Sequence, residues 1–270
     1  MKIADILPCR ILTDRTLVSA ILTTVLAGFT GLLVIVQLPI YVQIVNELTA
    51  TQSGVRLLPA VIAATIGAAV GGLISMKNNY SFYALIIGTG LLLVGCGMYS
   101  ITPISFELPH MLYGSQVIGG LGAGMTFCCT TMIISLDAEF RDHALAQGLI
   151  AQARVIGGTL GVAASSALFG DHIGELVGVL SREQIEILYR NPGYMSRLDF
   201  TQQLAVRTAL ALSSNESLRI CTYLAAVGVA VPLFVWQRNP PSLQQRKAEL
   251  EQAILAGSAS PYSQGDEEKT

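Results

Sequence analysis

Five stretches of this chain contain no Asp, Glu, Lys or Arg at all: residues 16–45, 57–76, 81–105, 110–136 and 220–237. A sixth, 144–170, is interrupted by one cation, Arg154. A helix needs roughly 20 mainly apolar residues to cross a hydrocarbon core about 30 Å thick, and these runs are about that length or longer. Soluble helices keep a polar, water-facing side. A chain built from such runs is predicted to be a polytopic membrane protein.

The pattern predicts an all-α integral-membrane fold of about six transmembrane helices, at residues 17–45, 56–76, 81–101, 110–136, 144–170 and 218–236. Segment 1–16 is then a cytosolic N-terminal piece, 17–236 a six-helix bundle with an outer loop at 171–217, and 237–270 a cytosolic tail, largely disordered. Pro39 offers a bend in the long first helix, Pro59 sits in the first turn of the second, and Pro232 should kink the last. The first apolar run is too long for the h-region of a cleavable signal peptide. Lys2, Arg10, Arg15, Lys77, Arg141, Arg238, Arg246 and Lys247 fall on one side, and the short connectors 46–54 and 102–109 carry no Lys or Arg. The positive-inside rule therefore places both termini in the cytosol. Capping boxes at Ser181–Gln184 and Ser213–Glu216 are read as opening a short surface helix and the last span. Asn215-Glu-Ser217 is a glycosylation candidate on the outer face.

Composition agrees with a membrane setting and narrows the function. Charged residues are 13% of the chain and hydrophobic ones 52%, against roughly 25% charged in soluble domains, and the mean hydropathy is +0.57. A net charge of −2 without a basic patch argues against nucleic acid. The five cysteines show neither metal spacing nor a disulfide framework, and read as small apolar residues. No catalytic constellation is present, so the chain is read as a non-enzyme with no cofactor and no metal.

Among interior residues Arg154 is the sharpest. It lies about 15 Å along its helix from Ala144, near the bilayer midplane. A cation there costs about 2.5–3.5 kcal/mol on insertion scales and should face the bundle interior or a wet cavity. Held structurally, it would bond carbonyls and amides, with Gln37, Gln116 and Gln152 as partners. Ser165 and Ser166 read as packing residues. Glycine pairs four apart, Gly67/Gly71, Gly120/Gly124 and Gly157/Gly161, present flat strips for close helix contact, either fixed packing or a sliding seam. No Asp or Glu lies deep in any span, so the chain lacks the carboxylates that usually relay protons in membranes.

Leu38-Pro-Ile-Tyr-Val-Gln43 and Gln52-Ser-Gly-Val-Arg-Leu-Leu-Pro59 resemble the "LPIYFQ … QSGVRLLP" stretch of fungal major facilitator superfamily exporters, in the fourteen-spanning drug:proton antiporter branch. Ile86-Ile-Gly-Thr-Gly-Leu-Leu92 is similar to "IIGTALL", Gln116-Val-Ile-Gly-Gly-Leu-Gly-Ala-Gly124 to "QILLGIGLGLG", and Ala153-Arg-Val-Ile-Gly-Gly-Thr-Leu-Gly-Val-Ala163 to "FRTLGGAIGVA". Lys77-Asn-Asn-Tyr-Ser81 departs from the family's basic "GRYKP" turn. The resemblance covers the C-terminal six-helix half only and implies an apparently truncated plasma-membrane exporter of drugs, toxins or secondary metabolites, working by alternating access. It implies that Arg154, Gln37, Tyr41 and Gln116 line the substrate path, while Arg56 and the glycine strips serve gating and packing. The expected partners are the lipid bilayer, a small amphipathic organic substrate and a second transporter half. The alternative is a non-transporting membrane scaffold or an inactive remnant.

Overall fold

The computed structural model describes residues 14–78, 80–101, 110–137, 143–174, 180–190 and 192–235. Expectations for the first 13 residues and for the tail from 236 onward lie outside the described residues, as do those for connectors 102–109 and 138–142. Helix α1 spans Arg15–Val45, α2 Ala50–Asn78, α3 Ser81–Ser100, α4 Met111–Asp137 and α5 His143–Gly174. After a short helix α6 (Arg182–Arg190) and a 3-10 turn (Pro192–Arg197), α7 runs over Phe200–Ala230 and tightens into a second 3-10 turn at Val231–Val235. Among the described residues six helices are long and apolar enough to cross a membrane, in agreement with the six predicted spans.

Local chemistry explains the ends. Asp14 caps α1, its carboxylate accepting the Thr16 backbone N–H at 2.8 Å. At Ser181 the predicted capping box forms: Gln184 accepts the Ser181 N–H at 2.9 Å while the Ser181 hydroxyl accepts that of Gln184 at 3.3 Å. Helix α7 opens at Asp199, whose N–H is accepted by Gln202 at 3.3 Å. The Thr201 hydroxyl donates to Asp199 at 2.8 Å and, helped by backbone N–H groups, holds this exposed carboxyl below the ordinary aspartate range.

Three boundaries differ from the sequence reading. Helix α2 starts at Ala50, so Pro59 lies inside it and not in its first turn. Helix α7 starts at Phe200, and Ser213–Glu216 is helix interior in place of a helix start. There the Ser213 hydroxyl bonds back to the Leu210 carbonyl at 3.0 Å, and that of Ser217 to Ser213 at 2.8 Å. The expected outer loop to 217 is correspondingly shorter. Charge caused the misreading, because Arg219 ends the charge-free run and Glu216 and Arg207 precede it. In the fold Arg207 is paired with Glu47, and Glu216 sits 3.8 Å from His172. Both contacts come from outside the helix, which a linear scan cannot see. At Pro232 the α-helix has already ended at Ala230, and the chain is a 3-10 turn.

Helix α4 packs between α2 and α3, α1 lies along α5, and α7 closes against α3, α1 and α5. Along α1 the core changes in layers. Leu17 and Ala20 join Leu85, Met125, Ile134 and Ile150. Further along, Ala27 and Leu33 meet Leu92, Cys96 and Cys221, and Leu38 and Val42 meet Tyr99 and Leu112. Buried Cys96, Cys129 and Cys221 are free thiols within the core clusters, Cys129 also touching the Ser75 hydroxyl. Buried Thr23, Thr24 and Thr30 return their hydroxyls to carbonyls of their own helix, which satisfies them without water. Spans α2 and α5 are the least enclosed, 22% buried against 44% for α1, α3 and α4. Leu58, Ile62 and Ile66 form an exposed apolar stripe on α2, as do Ile156 and Leu160 on α5.

Candidate functional site: an interior polar path

The glycine strips decide how closely the walls approach. A Cβ on Gly67 would run into the Leu121 carbonyl, on Gly120 into that of Ala60, and on Gly124 into that of Ala64. Gly71 meets Met125 and Cys129 on the same seam between α2 and α4. On the α1–α5 seam, Gly157 faces the Val25 carbonyl, Gly161 that of Phe29, and Gly28 returns the contact against Arg154. Five of the six predicted glycines therefore sit at backbone-to-backbone crossings and Gly71 against side chains, the close geometry that lets helices associate where no hydrophobic drive separates protein from lipid.

Between these seams lie two interior cavities. One, of about 50 Å³, is walled by Gln37, Leu38 and Tyr41 of α1 with Leu112 of α4 and Ser214 and Asn215 of α7. The other, of about 170 Å³, is walled by α1, α2, α3 and α4 and holds Gln116 and Phe127. Val34 and Tyr99 belong to both linings, so the two are neighbours. The structure thus places Gln37 and Tyr41 on the smaller cavity and Gln116 on the adjoining larger one.

Gln37 is the node of this path. Its side-chain N–H donates to the Ser214 hydroxyl at 2.9 Å, and its Oε1 accepts from the Ser165 hydroxyl at 2.6 Å. One amide thereby ties α1, α5 and α7 together. Sequence reasoning missed both partners, because Ser165 read as packing and Ser214 lay in a supposed loop. Asn215, the glycosylation candidate, is inside α7 with its Oδ1 buried, on the cavity wall. The coupling energy between Gln37→Leu and Ser214→Ala, measured by a double-mutant cycle of unfolding, is expected at about 1 kcal/mol. Additive losses would mean that this bond does not tie the helices.

Arg154 stands apart from both cavities. Its guanidinium lies 4.2 Å from the centre of the Phe127 ring, and Nη2 donates to the Phe127 carbonyl at a long 3.4 Å. Its Nε is buried with no partner among the described residues. The expected amide partners are not used, since Gln37 bonds the two serines, Gln116 lines the larger cavity and Gln152 is exposed. Arg154 thus contacts Phe127, which lines the larger cavity. Arg56 also lies off it, donating to the Tyr113 hydroxyl at 2.9 Å and linking α2 to α4.

The described residues form a multi-pass bundle whose two adjoining cavities have mostly apolar walls and a few polar groups. The chain is a homologue of fungal MFS-type efflux transporters. It is 28% identical to the MFS-type transporter FPY5 of Fusarium mangiferae over 235 residues, which are 86% of this chain and 39% of that protein. It is 27% identical to the aspyridones efflux protein of Neocamarosporium betae over 82% of this chain and 39% of the relative. With efflux pump FUS6 of Gibberella fujikuroi it shares 26% over 69% of this chain and 34% of the relative. The chain thus spans about two-fifths or less of these relatives. No protein-family model matches it. Its fold matches an inward-facing, unoccupied bacterial homolog of the human lysosomal transporter Spinster, with a TM-score of 0.67 at 18% identity over 86% of this chain and 51% of the other. These relatives are transporters and not enzymes.

Proposed function

We propose that this bundle supplies one half of the translocation path of an efflux transporter for small amphipathic organic molecules, working by alternating access against a second six-helix half. The observation that carries the reading is the interior path, with Gln37, Tyr41 and Gln116 set in apolar walls. Sites of this kind suit amphipathic ligands, since apolar area supplies affinity and a few polar groups set orientation. The apolar faces left open on α2 and α5 provide surface for a second half. The matched Spinster homolog contains about twice the length covered here, as two halves require. We assign both termini to the cytosol and the protein to the plasma membrane. Arg154 belongs to the path through Phe127, the Arg56–Tyr113 link to gating, and the glycine seams to packing.

The test is a chimaera in which this chain replaces the matching segment of the Fusarium relative, expressed in yeast deleted for its own drug pumps. The chimaera is expected to lower accumulation of an amphipathic dye below that of empty-vector cells, and the chain alone is not. A membrane-inserted chimaera that never differs from empty vector would sink the transport reading and favour the scaffold.

A further inference from the structure

We propose that the cavity around Gln116 is a subsite for a neutral, flat, largely apolar molecule carrying adjacent N–H and C=O groups, of the lactam or cis-amide class. This rests on the transport reading and deepens it by naming the chemistry of one subsite.

The observation behind it is an amide with nothing to bond. Gln116 is 1% exposed, and both its Nε2 and its Oε1 are buried without a partner among the described residues. Asn215 also has a buried Oδ1 without a partner among the described residues, but two other interior glutamines are engaged. Gln37 holds Ser165 and Ser214, and Gln147 donates to the Thr131 carbonyl and the Ser135 hydroxyl at 3.3 and 2.5 Å. A buried donor and acceptor left unmade are costly, so the exception sits where a ligand would restore the bonds. Gln116 lines a cavity of about 170 Å³ whose other walls are almost wholly apolar, among them Ile35, Val61, Leu92 and Phe127.

Geometry and charge narrow the ligand. A primary amide presents an acceptor and a donor side by side, and the complementary group presents a donor beside an acceptor. A lactam does this in a plane, with its N–H donating to Oε1 and its C=O accepting from Nε2. No charged side chain lines the cavity, so an ion would enter without a counter-charge. The aromatic walls of Tyr99 and Phe127 suit a flat ring.

The test is binding to the purified full chain in lipid nanodiscs, with empty nanodiscs subtracted, by equilibrium dialysis. The probes are 2-quinolone, a bicyclic lactam, its N-methyl derivative, which lacks the N–H, and 2-naphthoate, an anion of similar size. 2-Quinolone is expected to bind saturably and about tenfold or more tightly than the N-methyl compound. Gln116→Leu is expected to erase that difference by weakening the lactam alone. Ala123→Phe, which fills the cavity, is expected to remove binding of both. Equal binding of the two quinolones, an unchanged preference in Gln116→Leu, or no saturable binding would overturn the proposal. So would stronger, Arg154-dependent binding of 2-naphthoate. Because binding is read without a transport step, Gln116-dependent binding in a chain whose chimaera does not pump would defeat only the transport reading. Pumping without it would defeat only this subsite.

Discussion

Gly124→Leu is expected to remove the folded bundle from the membrane extract. Gly124 sits where α4 crosses α2, and a Cβ there collides with the Ala64 carbonyl. Backbone cannot swing aside as a flexible side chain can, so the two helices must separate along a seam that also holds Gly67, Gly71 and Gly120. Overpacking of this kind costs typically 1–3 kcal/mol and occasionally more. A leucine against backbone at the tightest crossing belongs at the upper end, about 3 kcal/mol or beyond. Gly90 and Gly148 supply the control, since a Cβ on either meets no heavy atom within 4 Å. Gly90→Ala and Gly148→Ala should be neutral or slightly stabilising, alanine being the better helix former. Size-exclusion profiles and melting temperatures in detergent check both sets. A monodisperse Gly124→Leu protein with an unchanged melting temperature would show that the seam is not tightly packed.

Arg154→Met should separate stability from function. The guanidinium is held by one long bond to the Phe127 carbonyl and by the Phe127 ring, with Nε unpaired. Methionine of similar reach keeps the packing and removes a poorly compensated charge. Such replacements are often neutral or stabilising, so the melting temperature should stay level or rise. Dye efflux by the chimaera should nevertheless fall about tenfold or more, because an interior cation kept against its insertion cost is expected to serve the path. Arg154→Lys keeps the charge but loses the flat stacking surface on Phe127, and efflux should recover in part. If Arg154→Met pumps normally and unfolds earlier, the residue is a structural strut.

What could be read in advance divides by range. Helix α1 was legible to within two residues at its start, because a long charge-free apolar run is a local signal. The start of α7 was missed by 18 residues, since Phe200 precedes Leu218 by that number. Arg207 is paired with Glu47, and Glu216 lies 3.8 Å from His172, both far away in sequence. Glycine spacing announced close crossings but could not say which strip meets which. That assignment came from α2 facing α4 and α1 facing α5.

By itself the sequence determined the six crossings and the places where helices must touch backbone to backbone, because apolar length and a missing Cβ are properties of the chain wherever it sits. It also marked Arg154, Gln37 and Gln116 as interior polar groups. Only the tertiary structure decided their different fates. Gln37 lies between two hydroxyls and is satisfied, whereas Gln116, chemically identical, is among the residues lining an apolar cavity and has both amide atoms buried and unbonded. A hydrogen bond requires its partner within about 3 Å, and which side chains from other helices come that close is fixed by how the helices pack.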